Sequence, residues 1–241
     1  LWSSNIYVNG STYFIGPNAN LVEANLSGAD LSNAWLDGAD LTSANLTEAN
    51  LSNAQLSGTI LSNAILRGVN FQDAYISSAI LTHADLTGSD FSDVTLNNTI
   101  FSHTTLAQIK SGGISGTPQS LPADYKIMSG YIIGPNVDLS NENLTTINFS
   151  TALLTDANFT NITAYNINFD GANLTGADFS DALLYGADFI GANLKGADFN
   201  GANLTFSDFS SADLSLIKSG SIVLSSSSTN APPTLPANFS L

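Results

Sequence analysis

The chain has 241 residues, 43% of them hydrophobic, enough to bury a core, yet only 10% are charged. Asp and Glu outnumber Lys and Arg 20 to 5, for a formal charge of -15, so duplex nucleic acid and anionic membranes repel it. The absence of cysteine rules out a disulfide scaffold and thiolate metal sites without choosing a compartment, and no apolar run approaches the roughly 20 residues of a membrane span.

The chain opens at Leu1 with neither an initiator methionine nor a signal-peptide pattern, the expectation for a processed or trimmed product. Residues 1–18 read as a hairpin cap. Asn9-Gly10 lies between Ile6-Tyr7-Val8 and Tyr13-Phe14-Ile15, a strong two-residue turn signal.

From residue 19 to 108 the chain falls into fives, such as Ala24-Asn25-Leu26-Ser27-Gly28, Ala29-Asp30-Leu31-Ser32-Asn33 and Ala39-Asp40-Leu41-Thr42-Ser43, with central residues every fifth position from Leu21 to Leu106. A second run spans 137–216, with centres from Leu139 to Leu214. A period of five fits neither a helix nor a flat strand, so each pentapeptide is read as one side of a solenoid coil. Recurrent Asn, Asp, Ser and Gly supply a corner at each repeat.

The motif A(N/D)(L/F)(S/T)x resembles that of the pentapeptide-repeat family, and it persists over most of the chain. The resemblance implies an all-β fold, a right-handed quadrilateral β-helix with four pentapeptides per coil, in two runs separated by a hairpin-containing linker. The central residue and the one two before it would point inward. Two positions test this packing. Ala164 stands where Leu or Phe is the rule, and Ile162 and Ile167 are expected to refill the volume. Glu142 at an inward position is expected in the open first coil of the second run, because an unpaired carboxylate deeper inside is too costly.

Residues 109–136 form a linker rich in Gly, Ser and Pro, with a second hairpin around Ser129-Gly130. Its pieces recur at both ends of the chain. Ile109-Lys110-Ser111-Gly112 and Leu121-Pro122-Ala123 return as Ile217-Lys218-Ser219-Gly220 and Leu235-Pro236-Ala237 in the tail, 217–241, while Tyr131-Ile132-Ile133-Gly134-Pro135-Asn136 echoes Tyr13-Phe14-Ile15-Gly16-Pro17-Asn18. Each hairpin is expected to deliver the chain into a first coil and cover its open edge. The tail, through Leu235, Pro236 and Phe239, is a candidate to dock beside the N-terminal hairpin of another copy, where Tyr7, Tyr13 and Phe14 lie. A piece of a longer array, or a monomer with a loose tail, are the alternatives.

With four repeats per coil, residues 20 apart share a face. Ile60, Ile80 and Ile100 then form an apolar column where Asn or Asp is the norm, flanked by Ile65, Trp35 and Tyr75, a candidate packing face. Tyr165 and Tyr185 would stack beside Leu183, a shape suited to a sugar ring or a protein neighbour. Asp178 with Asp198, and Asp188 with Asp208, place carboxylates on successive coils; calcium binding is one reading, and the resemblance favours capping of corner amides. His83 and His103 share a face, but two ligands are too few for a tight zinc site. Sequons such as Asn25-Leu26-Ser27 and Asn158-Phe159-Thr160 arise from the repeat itself.

No catalytic constellation, phosphate loop or interior pocket is evident, so neither catalysis nor a cofactor or metal is expected. The leading expectation is a structural or assembly protein, extracellular or on the cell surface, with cytoplasmic location the alternative. Its expected partner is itself, head to tail or laterally, without nucleic acid or membrane insertion. The family resemblance supplies a rival, since some of its members are acidic rods that mimic duplex DNA and bind gyrase. A carbohydrate- or ice-binding module is a third reading, weakened because Ser, Asn and Asp interrupt the required columns.

Overall fold

The computed structural model describes residues 2–220, which fall into two compact units, one ending at Ile132 and the other beginning at Ile133. Strands form only in two hairpins; the rest is built from short parallel bridges, and no helix occurs among the described residues.

The first hairpin pairs β1 (Ser4–Val8) with β2 (Ser11–Ile15) antiparallel, from Ser4 opposite Ile15 to Val8 opposite Ser11. Asn9 and Gly10 take φ of 50° and 82°. Positive φ at both central residues marks the turn that matches strand twist, which explains the Asn-Gly pair. The second hairpin pairs β3 (Lys126–Met128) with β4 (Tyr131–Ile133) around Ser129 and Gly130, at φ of 50° and 81°. The two turns are built alike.

Each unit contains a right-handed, four-sided β-helix. Parallel bridges join residues 20 apart, from Asn20–Asp40 to Ile100–Ser120 in the first unit and from Asp138–Asn158 to Asp198–Lys218 in the second. One side shows how the sequence does this. Leu26 donates its N–H to the Asn45 carbonyl of the next coil (2.7 Å), and Asn45 donates back to the Ala24 carbonyl (2.9 Å). The corner follows at once, where Ala29 donates to the Leu26 carbonyl (3.0 Å) across Gly28 at φ 69°. A left-handed third turn residue is the reason Gly, Asn and Asp favour that position. Thr146, Thr151 and Phe206 adopt it too, at φ of 61°, 56° and 63°, so the coil overrides local preference there.

The polar positions of the motif have equally local causes. Asn45 Oδ1 accepts the Thr47 N–H (3.1 Å) and its hydroxyl (2.7 Å), and the same Asx bond recurs at Asp40, Asp85, Asn173 and Asn203. The small inward position is usually Ala, but Thr59, Ser89, Thr99, Thr104 and Ser207 also occupy it, buried. Each donates its hydroxyl to a central-residue carbonyl in the preceding coil, such as Thr59 to Leu36 (3.0 Å). A buried hydroxyl so paired avoids the desolvation cost of an orphan.

The central residues fill the interior. In the first unit they are mainly Leu, with Phe71, Phe91 and Phe101 inserted; in the second, Phe columns occupy two sides and mainly Leu the others. Phe159, Phe179 and Phe199 stack at 4.8 and 5.0 Å, and the facing column Phe169, Phe189, Phe209 stacks at 5.2 and 4.8 Å. Edge-on contacts link the two columns, for example Phe179 to Phe189 at 5.7 Å. Ala164 is fully buried, with Ile162 and Ile167 buried beside it. Glu142 is half-buried in the first coil of its unit.

The ladder also runs past residue 108, where the five-residue pattern fades. Lys110, Ser115 and Ser120 still bridge to Asp90, Thr95 and Ile100. Here Ser111 and Gly116 stand where a large central residue would be, so the backbone continues the coil without the apolar signature that marks it.

Candidate assembly surfaces

The N-terminal hairpin rests on the first coil of its own unit. Asn9 donates its side-chain amide to the carbonyls of Asn25 (3.3 Å) and Ser27 (3.0 Å), and the Tyr13 hydroxyl accepts the Asn25 N–H (3.1 Å). Trp2, in front of β1, bridges to Ala34 and donates its indole N–H to the Ser32 carbonyl (2.8 Å). Neither Trp2 nor Asn9 is among the expected contact residues; a Trp directly ahead of the hairpin was the available signal. Of the three aromatic candidates here, Tyr7 and Phe14 are exposed, by 76% and 51%, whereas Tyr13 is half-buried against its own coil.

The internal hairpin packs on the last coil of the first unit, the coil before it in sequence. Gly130 accepts the Ile114 N–H (2.9 Å), Ile132 donates its N–H to Ser111 Oγ (2.9 Å), and the Tyr131 ring lies against Gly112. Tyr131, Ile132 and Ile133 are all buried. A Cβ at Gly112 would meet the Tyr131 ring at 3.2 Å, close enough that the ring would have to shift by a few tenths of an ångström.

Ile60, Ile80 and Ile100 occupy consecutive rungs of one ladder, each half-buried. Trp35, Ile65 and Tyr75 are exposed on the adjoining sides, and the Trp35 indole donates to Asp37 (2.8 Å). Leu235, Pro236 and Phe239 lie outside the described residues, as does the tail from 221 onward.

The other candidates make local contacts. Tyr165 and Tyr185 meet edge-on at 6.3 Å rather than stacking, and Phe206 extends the cluster, 4.9 Å from Tyr185. Tyr165 and Tyr185, with Asn166 and Asn203, line an open groove of about 470 Å³. His83 and His103 stack at 4.8 Å. Among the described residues no group of three or more His, Asp or Glu is placed to hold a metal ion. Asp178, Asp188, Asp198 and Asp208 each accept a corner N–H at 2.8 to 3.0 Å. Lys218 reaches Asp198 at 3.3 Å.

Such bonds favour the charged carboxylate. Hydrogen bonds from the Ser32 side chain and main chain lower the pKa of Asp30, and those from Ser215 do the same for Asp213. At Asp85 burial pushes upward, but hydrogen bonds from Thr87 and Arg67 outweigh it and the net shift is down. No helix of the described residues is long and apolar enough to cross a membrane.

Comparisons with known proteins follow the repeat. The chain resembles HetL, a pentapeptide repeat protein involved in heterocyst differentiation regulation in the cyanobacterium Nostoc sp. strain PCC 7120, at 28% identity over 86% of this chain and 88% of that one, TM-score 0.43. It also resembles Rfr23, a pentapeptide repeat protein of the cyanobacterium Cyanothece 51142, at 34% identity over 41% and 65%, TM-score 0.36. QnrB1, a plasmid-mediated fluoroquinolone resistance protein, matches at 16% identity over 85% and 88%, TM-score 0.38. No curated protein sequence is significantly similar. The family model for pentapeptide repeats matches residues 17–42, 24–63, 70–108, 152–189 and 182–216 in 8 copies, more than half of the chain. The chain belongs to the pentapeptide-repeat family.

Proposed function

We propose that this protein is a non-enzymatic structural subunit that assembles head to tail with further copies of itself. The observation that supports this reading is the contrast between matching residues: Phe14 is 51% exposed where its counterpart Ile132 is fully buried. An exposed aromatic on an otherwise well-packed hairpin marks a contact surface. The contact is heterologous, joining unlike ends, and therefore propagates. Few lysines, a surface rich in Ser, Thr and Asn, and the net negative charge suit a soluble structural element outside the cell or on its surface.

Negative-stain electron microscopy across a concentration series tests the proposal. Filaments that lengthen with concentration, and vanish when residues 217–241 are deleted, are the expected result. Filaments that persist after the deletion refute a role for the tail, and uniformly short particles refute assembly. The net charge of -15 favours one further reading, an acidic surface that binds gyrase in place of DNA. Inhibition of gyrase supercoiling by the intact chain would support it.

A further inference from the structure

We propose that the joint between copies is a repeat of the contact the chain already makes internally: the N-terminal hairpin of one copy seats on the last coil of the next, with the Phe14 main-chain N–H donating to Ser219 Oγ. This rests on the assembly reading above and specifies its geometry.

The internal contact is the template. After the first run comes Ile109-Lys110-Ser111-Gly112; after the second comes Ile217-Lys218-Ser219-Gly220. The two segments hold the same place in their coils. Lys110 bridges to Asp90, and Lys218 to Asp198. Phe91 donates to the Lys110 carbonyl at 2.9 Å and Phe199 to the Lys218 carbonyl at 2.8 Å; Asp93 donates to Gly112 at 2.7 Å and Gly201 to Gly220 at 3.0 Å. Their burial differs. Ile109 and Ser111 are buried, at 0% and 3%, whereas Ile217 is half-buried and Ser219 exposed. The covered pair sits under β4, through Ile132 on Ser111 and Tyr131 on Gly112.

The hairpins match in the feature the contact needs. In an antiparallel pair joined by a two-residue turn, the residues flanking the turn are hydrogen-bonded to each other and the pairs then alternate. Tyr131 flanks the turn, so the next residue, Ile132, turns its N–H outward, and that N–H is the one Ser111 accepts. In the N-terminal hairpin Ser11 flanks the turn and Phe14, opposite Asn5, is three residues on. The hairpin is longer by two residues per strand, which leaves the period-two alternation unchanged. Phe14 therefore also turns its N–H outward, at an exposed position. Donor and acceptor are both present, at opposite ends of the chain; Gly220 differs from Gly112 in that Asn200 Oδ1, which accepts its N–H at 2.7 Å, takes the face that Tyr131 covers on Gly112.

The chain has no cysteine, so engineered thiols report cleanly. Phe14→Cys and Ser219→Cys chains are mixed and oxidised, and a Ser111→Cys/Ile132→Cys chain serves as the control that closes within one molecule. The expected result is a disulfide-linked dimer containing one of each single variant, formed far faster than either homodimer, together with slowed hydrogen exchange at the Phe14 amide of the unmodified chain when its concentration is raised. If the control closes and the mixture still assembles, but 14 and 219 do not link and the Phe14 amide stays unprotected, this joint is wrong while head-to-tail assembly stands. If the control closes and no assembly or link forms at any concentration, both are wrong.

Discussion

The two hairpins are the same device in different surroundings. Both turn through two residues of positive φ, and both lead into a Gly-Pro-Asn corner and a run of coils. Yet β4 is buried along its length, while β2 leaves Phe14 exposed. β4 grips the coil before it through the Ile132 N–H on Ser111, and Phe14 holds the matching register position on β2.

Substitutions at matching positions sharpen that comparison. Ile132→Ala should lower the stability of the first unit by about 2–5 kcal/mol, the range for truncating a buried aliphatic side chain, whereas Phe14→Ala should change that of the dilute chain by less than about 0.5 kcal/mol. Urea unfolding measures both; equal losses would mean that Phe14 already packs within its own copy. Ser111→Ala leaves the Ile132 N–H without its acceptor, at about 1–3 kcal/mol. Ser219→Ala should cost the dilute chain nothing measurable.

Ser129→Asn should stabilise the internal hairpin by about 0.5 kcal/mol, because Asn tolerates the left-handed φ better than Ser does. Asn9→Ser should destabilise the N-terminal hairpin by more than the reverse of that gain, since Asn9 also bonds the first coil. The smallest effect is acid sensitivity. Asp30 and Asp213 have lowered pKa values when folded, so their contribution is full above the ordinary carboxylate value and is lost as pH falls through the lowered ones. Asp30→Asn keeps the Oδ1 acceptor and should flatten that part of a stability–pH curve, measured by urea unfolding at each pH.

The coils were legible because their causes are local. A left-handed corner, an Asx bond and two inward residues recur every five positions, so Ala24-Asn25-Leu26-Ser27-Gly28 already contains the fold. What escaped depended on contacts distant in sequence. The rungs at Lys110 and Ser115 are followed by Ser111 and Gly116 in place of a large central residue, and at Ser111 the hairpin packs on the coil instead. The expectation that a hairpin covers the coil after it holds for Asn9 on Asn25 and Ser27, but it says nothing of the grip of Tyr131 and Ile132 on the coil before. Tyr165 and Tyr185 share a column as the repeat requires, yet their edge-on geometry follows from ring packing with Phe206, which the period does not encode.

Sedimentation velocity of the intact chain and its Phe14→Asp variant, over a hundredfold concentration range, tests the central claim most directly. A charge at position 14 cannot be buried in a joint but is harmless on an exposed hairpin. The account predicts an intact chain that grows with concentration and a variant that stays a single small species with unchanged circular dichroism. A variant that grows as the parent does, or a parent that never grows, would contradict it.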